Sequence, residues 1–158
     1  MKPRLYLETS IVSYLAAMPS RDLVVAAHQQ ITHEWWADRR HQYELFVSGL
    51  VIREARCGDP DAASRRMAFL DGLQSLSVDE HARSLARKII QDGCLPEKAG
   101  EDAVHIALAA AHGMNYLLTW NCRHIANALT RQKVTDTLRR YGLEAPIIST
   151  PEELPEEV

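Results

Sequence analysis

The alternation of short, continuous apolar runs with longer segments of helical periodicity constrains the fold of this chain more than any other feature. Apolar runs that do not alternate with polar residues are typical of strands buried on both faces of a parallel sheet. Helical segments between such runs are typical of β-α-β connections, whose helices cover the sheet. We therefore predict an α/β protein, a three-layer α/β/α sandwich with a central parallel sheet of about five strands, at residues 4–7, 43–48, 76–78, 115–119 and 147–149.

Helix-start and helix-end signals locate the helical segments. Thr9 or Ser10 is expected to cap a helix over residues 11–16, and Asp79 a helix that runs to about residue 92. Gly113 follows a strongly apolar helix over residues 101–112, at the position where glycine relieves a left-handed C-cap. Further helices are predicted at residues 21–40, 50–58, 61–72 and 124–141.

The length of 158 residues fits one domain. We assign residues 1–150 to this domain and residues 151–158 to an acidic C-terminal tail that contains four glutamates and no base. Because the tail is charged and carries two prolines, we expect a solvated, flexible end.

Composition disfavours several classes of protein. No apolar run approaches the ~20 residues that cross a bilayer, and the first residues lack the apolar stretch of a signal peptide. The three cysteines are far apart and form no CxxC pair, which disfavours a disulfide framework or a zinc knuckle. We therefore expect a reduced, cytoplasmic protein without a membrane partner.

The charge balance leaves a nucleic-acid partner open. The net charge of −3 argues against a broadly basic nucleic-acid binder. Residues 1–150 alone, however, hold 18 basic and 17 acidic side chains. Fourteen of the bases are arginine, the side chain best suited to forked phosphate contacts.

Four polar residues fall near the carboxyl ends of predicted strands, where open parallel sheets bind ligands. Glu8 follows the first strand, and Glu54 lies on the helix after the second. Asp102 begins the helix before the fourth strand, and Asn121 follows that strand. Carboxylates held together need a compensating cation, and oxygen ligands select Mg²⁺ or Mn²⁺ rather than zinc. Such an ion in a shallow cleft activates water against a phosphodiester.

Each acid also has an ordinary structural explanation. Glu8 and Asp102 suit the first turn of a helix, where a negative charge is favourable. Glu54 suits a surface helix beside Arg53 or Arg56. Only the joint pattern of the three acids favours a metal site.

Taken in chain order, these residues resemble the PIN-domain family. The resemblance is carried by LYLETS at residues 5–10, Glu54, DAVHIA at residues 102–107 and LTWN at residues 118–121, and it covers essentially the whole chain. The stretch TWNCRHIAN, with TPEEL near the end, is similar to one branch of the family. The resemblance implies a parallel-sheet α/β/α fold and a metal-dependent ribonuclease. It also implies, as for many compact bacterial members, the toxin of a toxin–antitoxin pair.

The resemblance implies roles for individual residues. Glu8, Glu54 and Asp102 fall on the family's three acids, and Asn121 falls where many members have a fourth aspartate. Glu8 is one methylene longer than aspartate, and the neutral Asn121 makes the pocket less negative. From the resemblance we expect all four to be catalytic. Because a less negative pocket binds a second divalent ion less tightly, we expect one Mg²⁺ or Mn²⁺ ion, held mainly by Glu8 and Asp102. Glu54 is expected to contact the ion through water or to position the nucleophile, and Asn121 to hydrogen-bond a ligand water.

Four residues near the predicted cleft are candidates for substrate contact: Thr9, Thr119, Trp120 and Arg123. Thr9 is one of two residues, with Ser10, that fall on the hydroxyl following the family's first acid. Trp120 is expected to stack on an RNA base, and Arg123 to contact phosphate at the cleft mouth. The basic stretch over residues 131–140 is expected to be a solvated helix face that contacts phosphate if RNA approaches it.

Other conspicuous side chains have structural explanations. His105, three residues after Asp102, is expected to be a buried, hydrogen-bonded histidine. Trp35 is expected in the core, and Trp36 at an interface with another chain. His124 and the neighbouring cysteine match neither a zinc site nor an oriented nucleophile.

The function that these patterns favour is a Mg²⁺- or Mn²⁺-dependent endoribonuclease that cleaves single-stranded RNA and is restrained by an antitoxin protein. A catalytically weakened PIN-like module that binds RNA or protein is the main alternative, because Glu8 and Asn121 depart from aspartate. A phosphatase or 5′-nuclease built on the same acidic pocket is a third. The apolar, aromatic faces of the second helix make a homodimer plausible.

Overall fold

The computed structural model describes residues 1–156 and contains five strands, β1 (Arg4–Leu7), β2 (Glu44–Ser48), β3 (Gln74–Leu76), β4 (Tyr116–Leu118) and β5 (Ile147–Ser149). They form one sheet in the order β3-β2-β1-β4-β5, and every neighbouring pair is parallel. In the centre, Leu5 lies in register between Leu45 of β2 and Tyr116 of β4. The predicted parallel sheet of about five strands is confirmed.

Seven α-helices accompany the sheet within residues 1–156: α1 (Thr9–Ala16), α2 (Leu23–Asp38), α3 (Gly49–Ala55), α4 (Pro60–Leu70), α5 (Glu80–Gln91), α6 (Gly100–Ala111) and α7 (Ala128–Arg140). Helix α1 packs against α2, α3 and α4, whereas α5 packs against α6 and α7. Right-handed crossovers place these two groups on opposite faces of the sheet, which confirms the three-layer α/β/α architecture. In this part of the chain, no helix is both long enough and apolar enough to cross a bilayer.

The core explains why the strands read as continuous apolar runs. Leu5 and Leu7 of β1 and Leu117 and Leu118 of β4 are completely buried, because helices cover both faces of the sheet. Adjacent residues of one strand point to opposite faces, so both faces must be apolar.

Several predicted boundaries differ from the observed ones. The N-cap of α1 is Glu8, whose carboxylate accepts from the backbone N–H of Ser10; Thr9 and Ser10 already lie inside the helix. Strand β3 begins two residues before its predicted position, at Gln74. Helix α7 begins only at Ala128, because the Asn127 side chain caps it by accepting from the backbone N–H of Thr130.

The C-terminal segment, predicted to be a solvated end, packs on the domain as far as Pro155. Leu154 is buried, and Arg39 donates to the backbone carbonyls of Leu154 and Pro155 at 3.2 and 2.9 Å. Glu153 forms an ion pair with Arg131 at 2.7 Å. The apolar Leu154 and these charged contacts therefore hold the start of the acidic tail in place. Residues 157 and 158, part of the predicted tail, lie outside the described residues.

Candidate active site

The candidate site lies at the carboxyl ends of β1 and β4, the two central strands. From β1 the chain continues to β2 and β3 on one side of β1, and it then crosses to β4 and β5 on the other side. The strand order therefore reverses between β1 and β4. Open α/β sheets bind ligands at such a switch point. The two strand ends are joined directly, because the backbone N–H of Glu8 donates to the carbonyl of Leu118 at 3.0 Å.

The Glu8 carboxylate is almost fully buried, with 6% of the residue exposed. Its Oε1 accepts from the hydroxyls of Ser10 and Thr119, the latter at 2.6 Å. Its Oε2 accepts from the backbone N–H of Ser10 at 3.2 Å. Among the described side chains, no lysine or arginine forms an ion pair with Glu8. A buried carboxylate is therefore held by neutral donors alone.

Glu54 is carried to the same point by α3, the helix that follows β2. Ser48 caps this helix by accepting from the backbone N–H of Val51 at 3.2 Å. Glu54 Oε1 accepts from the Thr9 hydroxyl at 2.6 Å and from His105 Nε2 at 2.7 Å. Partial burial acts to raise the pKa of the Glu54 carboxyl. The hydrogen bond and charge of His105 and the hydrogen bond of Thr9 outweigh it and hold that pKa below its usual value.

His105 is completely buried and connects Glu54 to the interior of the sheet. Its Nδ1 lies 2.7 Å from the Tyr6 hydroxyl, which lies 2.9 Å from the Ser48 hydroxyl. Burial acts to lower the pKa of His105, but the hydrogen bond to Glu54 and the charges of nearby carboxylates raise it above its usual value. Burial raises the pKa of Tyr6, which therefore stays a neutral phenol. The expectation of a buried, hydrogen-bonded histidine is confirmed. Because one of its hydrogen-bond partners is Glu54, His105 is also part of the candidate site.

The donor set suits a divalent cation. Within residues 1–156, one group of candidate ligand atoms lies mutually within 4.8 Å, and it comprises Glu8, Glu54 and His105. Two carboxylates beside each other repel, and a hard divalent ion is the usual compensation. The hydrogen bonds concentrate on one oxygen of each carboxylate and leave the second oxygen of Glu54 without a donor among the described residues.

Asp102, the third predicted acid, lies at the start of α6 and joins the site through hydrogen bonds. Its Oδ1 accepts from the Asn121 side-chain amide at 3.1 Å, and its Oδ2 lies 2.9 Å from His124 Nδ1. The backbone N–H of Asn121 donates to the Thr119 hydroxyl, which in turn donates to Glu8. Asp102 is therefore connected to Glu8 through Asn121 and Thr119, but it is outside the 4.8 Å group.

The structure places the predicted substrate residues in different settings. The hydroxyls of Thr9 and Thr119 are directed at Glu54 and Glu8 and orient these carboxylates. Trp120 is only 7% exposed, stacks on His28 at 4.0 Å between ring centroids and donates to the Thr32 hydroxyl at 2.7 Å. Stacking on an RNA base would require the ring to leave this packing. Arg123 is exposed, just beyond Asn121.

Sequence reasoning did not identify Ser10 and His124 as partners of the acidic residues. Ser10 contacts Glu8 because Glu8 is the N-cap of α1 and Ser10 lies in the first turn of that helix. The two-residue spacing of Glu8 and Ser10 in the sequence could have indicated this contact. His124 contacts Asp102 from a turn over residues 122–125, and the helix predicted from residue 124 begins only at Ala128. That turn leaves no periodic signal in the sequence. Trp35 lies in the core as expected, whereas Trp36 packs within the chain against Phe69.

The fold is similar to that of two solved structures. No protein-family model and no curated protein sequence matches the chain. VapC20 of Mycobacterium tuberculosis, described as a toxin that cleaves the sarcin-ricin loop, superposes with a TM-score of 0.55 at 18% identity, covering 72% of this chain and 86% of VapC20. VapBC2 of Rickettsia felis, solved with a DNA fragment of its promoter, gives a TM-score of 0.54 at 14% identity, covering 92% of this chain and 97% of that one. The chain therefore has the PIN-domain fold that its sequence resemblance implies.

Proposed function

We propose that this protein is a Mg²⁺- or Mn²⁺-dependent endoribonuclease and the toxin of a toxin–antitoxin pair. One observation carries the proposal: Glu8 and Glu54 converge at the switch point of a PIN-type sheet, and hydrogen bonds through Asn121 and Thr119 connect Asp102 to Glu8. The likeness to VapC20 and VapBC2 supports the nuclease class and an antitoxin partner. Single-stranded RNA and an antitoxin are both met in the cytoplasm, where we expect the protein to act.

In this proposal, Glu8, Glu54 and Asp102 hold the cation. When bound, the ion would lower the pKa of a water molecule and offset charge on the phosphodiester. The chain prepares the site by neutral hydrogen bonds: Thr119 orients Glu8, and Asn121 orients Asp102 through its side-chain amide. Asn121 thus acts on a carboxylate, in addition to the water contact expected from the sequence.

RNA contact is assigned to exposed arginine at the site mouth. Arg123 is exposed close to Asn121, whereas Arg131 and Arg140 of α7 are engaged in ion pairs with Glu153 and Asp92. Arg123 is therefore the base best placed to contact phosphate without first breaking an ion pair. For a protein partner, we propose the surface formed by the exposed apolar side chains of Met18, Leu23 and Val24, at and just before the start of α2. This surface supports an antitoxin contact or a homodimer.

The deciding experiment incubates purified protein with single-stranded RNA and Mn²⁺. We expect cleavage that EDTA abolishes and that Glu54→Gln and Asp102→Asn each reduce by at least about 100-fold. Asp136→Asn is the matched control, because Asp136 is exposed on α7; its activity should stay within about twofold of wild type. Cleavage that survives EDTA, or that is equal in all four proteins, points to a contaminating nuclease and refutes the proposal. Preference for DNA or a mononucleotide would instead favour a 5′-nuclease or phosphatase.

A PIN-like module that binds RNA or protein without cleaving is the second candidate. The observation in its favour is that both oxygens of Asp102 are occupied, one by Asn121 and one by His124. If this arrangement persists with metal present, Asp102 contributes little to holding an ion. Retention of RNA in a binding assay, with no product at saturating Mn²⁺, would favour this function over the nuclease.

A further inference from the structure

A chain of three buried side chains ends on the Glu54 carboxylate. Ser48, Tyr6 and His105 are each completely buried, and their polar atoms contact one another in series at 2.9 and 2.7 Å. The series begins at the cap of α3, where Ser48 accepts from the backbone N–H of Val51. It ends at His105 Nε2, 2.7 Å from Glu54 Oε1. The series therefore ties the start of α3 to a residue near its end by way of β1 and α6.

The direction of the last hydrogen bond does not depend on the protonation of His105. An ionised carboxylate only accepts, so Nε2 must carry the proton that it donates to Glu54. If the imidazole is neutral, Nδ1 accepts from the Tyr6 hydroxyl; if it is charged, Nδ1–H donates to the same oxygen. A phenol hydroxyl serves both states, since it both donates and accepts. Tyr6 thus keeps Nε2–H pointed at Glu54 in either state.

The consequence is a fixed orientation of the carboxylate. His105 and Thr9 both donate to Oε1 of Glu54, which leaves Oε2 as the oxygen with unused acceptor capacity. Glu8 is treated similarly, since Ser10 and Thr119 both donate their hydroxyls to its Oε1. Resting on the proposed function, we propose that His105 is a positioning residue that, held by Tyr6, orients Glu54 so that its Oε2 faces the cation site.

Direct coordination by His105 is the competing role. It would require Nε2 to lose its proton and to give up the 2.7 Å hydrogen bond to Glu54. Carboxylates that hold metals are commonly supported by hydrogen-bond donors, and loss of such a donor costs about 10–100-fold in metal affinity or activity. The observed bond corresponds to the supporting role.

The test uses two replacements of His105, one that keeps only the contact with Glu54 and one that keeps only the contact with Tyr6. In His105→Gln, the side-chain amide nitrogen reaches approximately the position of Nε2 and still donates to Glu54. In His105→Asn, the shorter side chain reaches only the position of Nδ1 and keeps the Tyr6 contact alone. We expect His105→Asn to weaken Mn²⁺ binding, measured by electron paramagnetic resonance, by at least about tenfold. We expect it to lower kcat for RNA with little change in KM, and His105→Gln to restore both to within about threefold of wild type.

Two results would overturn the positioning role. The first is equal Mn²⁺ affinity and kcat in the Asn and Gln variants, which indicates a space-filling role. The second is a nitrogen coupling in the electron spin echo spectrum of the Mn²⁺-bound wild type that disappears in His105→Gln, which indicates direct coordination.

The metal readout separates this inference from the proposed function, because it needs no RNA. If the Mn²⁺ affinities follow the expected order but RNA stays intact, the nuclease proposal fails and the positioning role stands. If the wild type cleaves RNA and both variants match it, the positioning role fails alone. A wild type that binds no Mn²⁺ refutes both.

A second pair of variants keeps the test valid if His105→Asn does not fold. Tyr6→Phe removes the partner of Nδ1 and leaves His105 in place; we expect it to lower Mn²⁺ affinity about 3–10-fold. Tyr116→Phe is the control, since the Tyr116 hydroxyl makes no side-chain hydrogen bond within residues 1–156 and lies at the opposite end of β4 from the site. Equal affinities for the Tyr6 and Tyr116 variants would contradict the role assigned to Tyr6.

Discussion

Replacing Thr119 by valine tests the hydrogen bonding that holds the buried Glu8. The two side chains have nearly the same shape, so Thr119→Val removes the hydroxyl with little change in packing. Thr119 is fully buried; its Oγ1 donates to Glu8 Oε1 at 2.6 Å and accepts from the backbone N–H of Asn121 at 2.9 Å. The substitution therefore leaves a buried carboxylate with one donor fewer and a backbone N–H without its acceptor.

The expected loss of stability follows from these two bonds. A hydrogen bond to a charged group contributes roughly 1.5–3 kcal/mol, and a neutral one roughly 1 kcal/mol. The Asn121 N–H is only partly buried and regains some hydration, so we take the net loss as about 3 kcal/mol. For a chain of 158 residues, about 3 °C of Tm per kcal/mol gives a decrease in Tm of about 9 °C.

Thermal unfolding of the metal-free protein, followed by circular dichroism, measures this effect. Thr130→Val is the matched control, because Thr130 is also buried but its hydroxyl has no hydrogen-bond partner within residues 1–156. We expect its Tm to stay within about 2 °C of wild type, and Thr119→Ser to recover most of the loss. A Tm for Thr119→Val equal to that of the control would refute the argument that neutral donors hold Glu8 in the fold.

Three further predictions concern the rest of the molecule. Folding lowers the pKa of Glu54 from 4.5, so the ionised carboxylate stabilises the fold above pH 4.5, and this contribution is lost as the pH falls through the lowered pKa. Folding raises the pKa of His105 from 6.5, so the protonated imidazole stabilises the fold below pH 6.5, and this contribution is lost as the pH rises through the raised pKa. The Tm of the metal-free protein should therefore be highest between these two pKa values and decrease at lower and at higher pH. A Tm that rises steadily across this pH range would contradict the pairing of Glu54 with His105. Leu154→Ala should lower the Tm by about 6–9 °C, from a loss of roughly 2–3 kcal/mol at a buried leucine, whereas Leu129→Ala at an exposed one should not; equal melting curves would mean that the C-terminal segment is not docked. Arg123→Ala should weaken RNA binding and reduce the slope of log affinity against log salt by roughly one contact, with Mn²⁺ affinity unchanged; an unchanged slope would remove Arg123 from the RNA contact.

Much of the fold was predictable because its signals are local. Gly113 has a φ of +68°, as expected for the glycine that ends the apolar helix before β4. Asp79 caps α5 at the predicted residue. The C-terminal segment was mispredicted because its docking depends on Arg39, which is distant in sequence and donates to the carbonyls of residues 154 and 155. Composition reports the charge of a segment but not the partner that fixes it.

The sequence also located the acids but not the donors that orient them. Glu8 and Glu54 follow neighbouring strands, and strand order alone brings them together. The distribution of hydrogen bonds over their oxygens depends on side-chain rotamers at Thr9 and Thr119, which no pattern in the chain specifies. His105 shows the same limit: its burial was predictable, whereas its choice of Glu54 as partner was not.

The kind of donor around these carboxylates determines what the site can bind. An arginine or lysine at this position would donate hydrogen bonds to Glu8 and would also neutralise its charge. The site would then have less negative charge with which to attract a cation. Hydroxyls of Ser10, Thr9 and Thr119 satisfy one oxygen of each carboxylate without removing its charge. Arg53, the sequence neighbour of Glu54, instead forms an exposed ion pair with Glu101 at 2.9 Å. The protein therefore holds two adjacent carboxylates in a fixed geometry, which is the arrangement expected where a divalent cation completes the site.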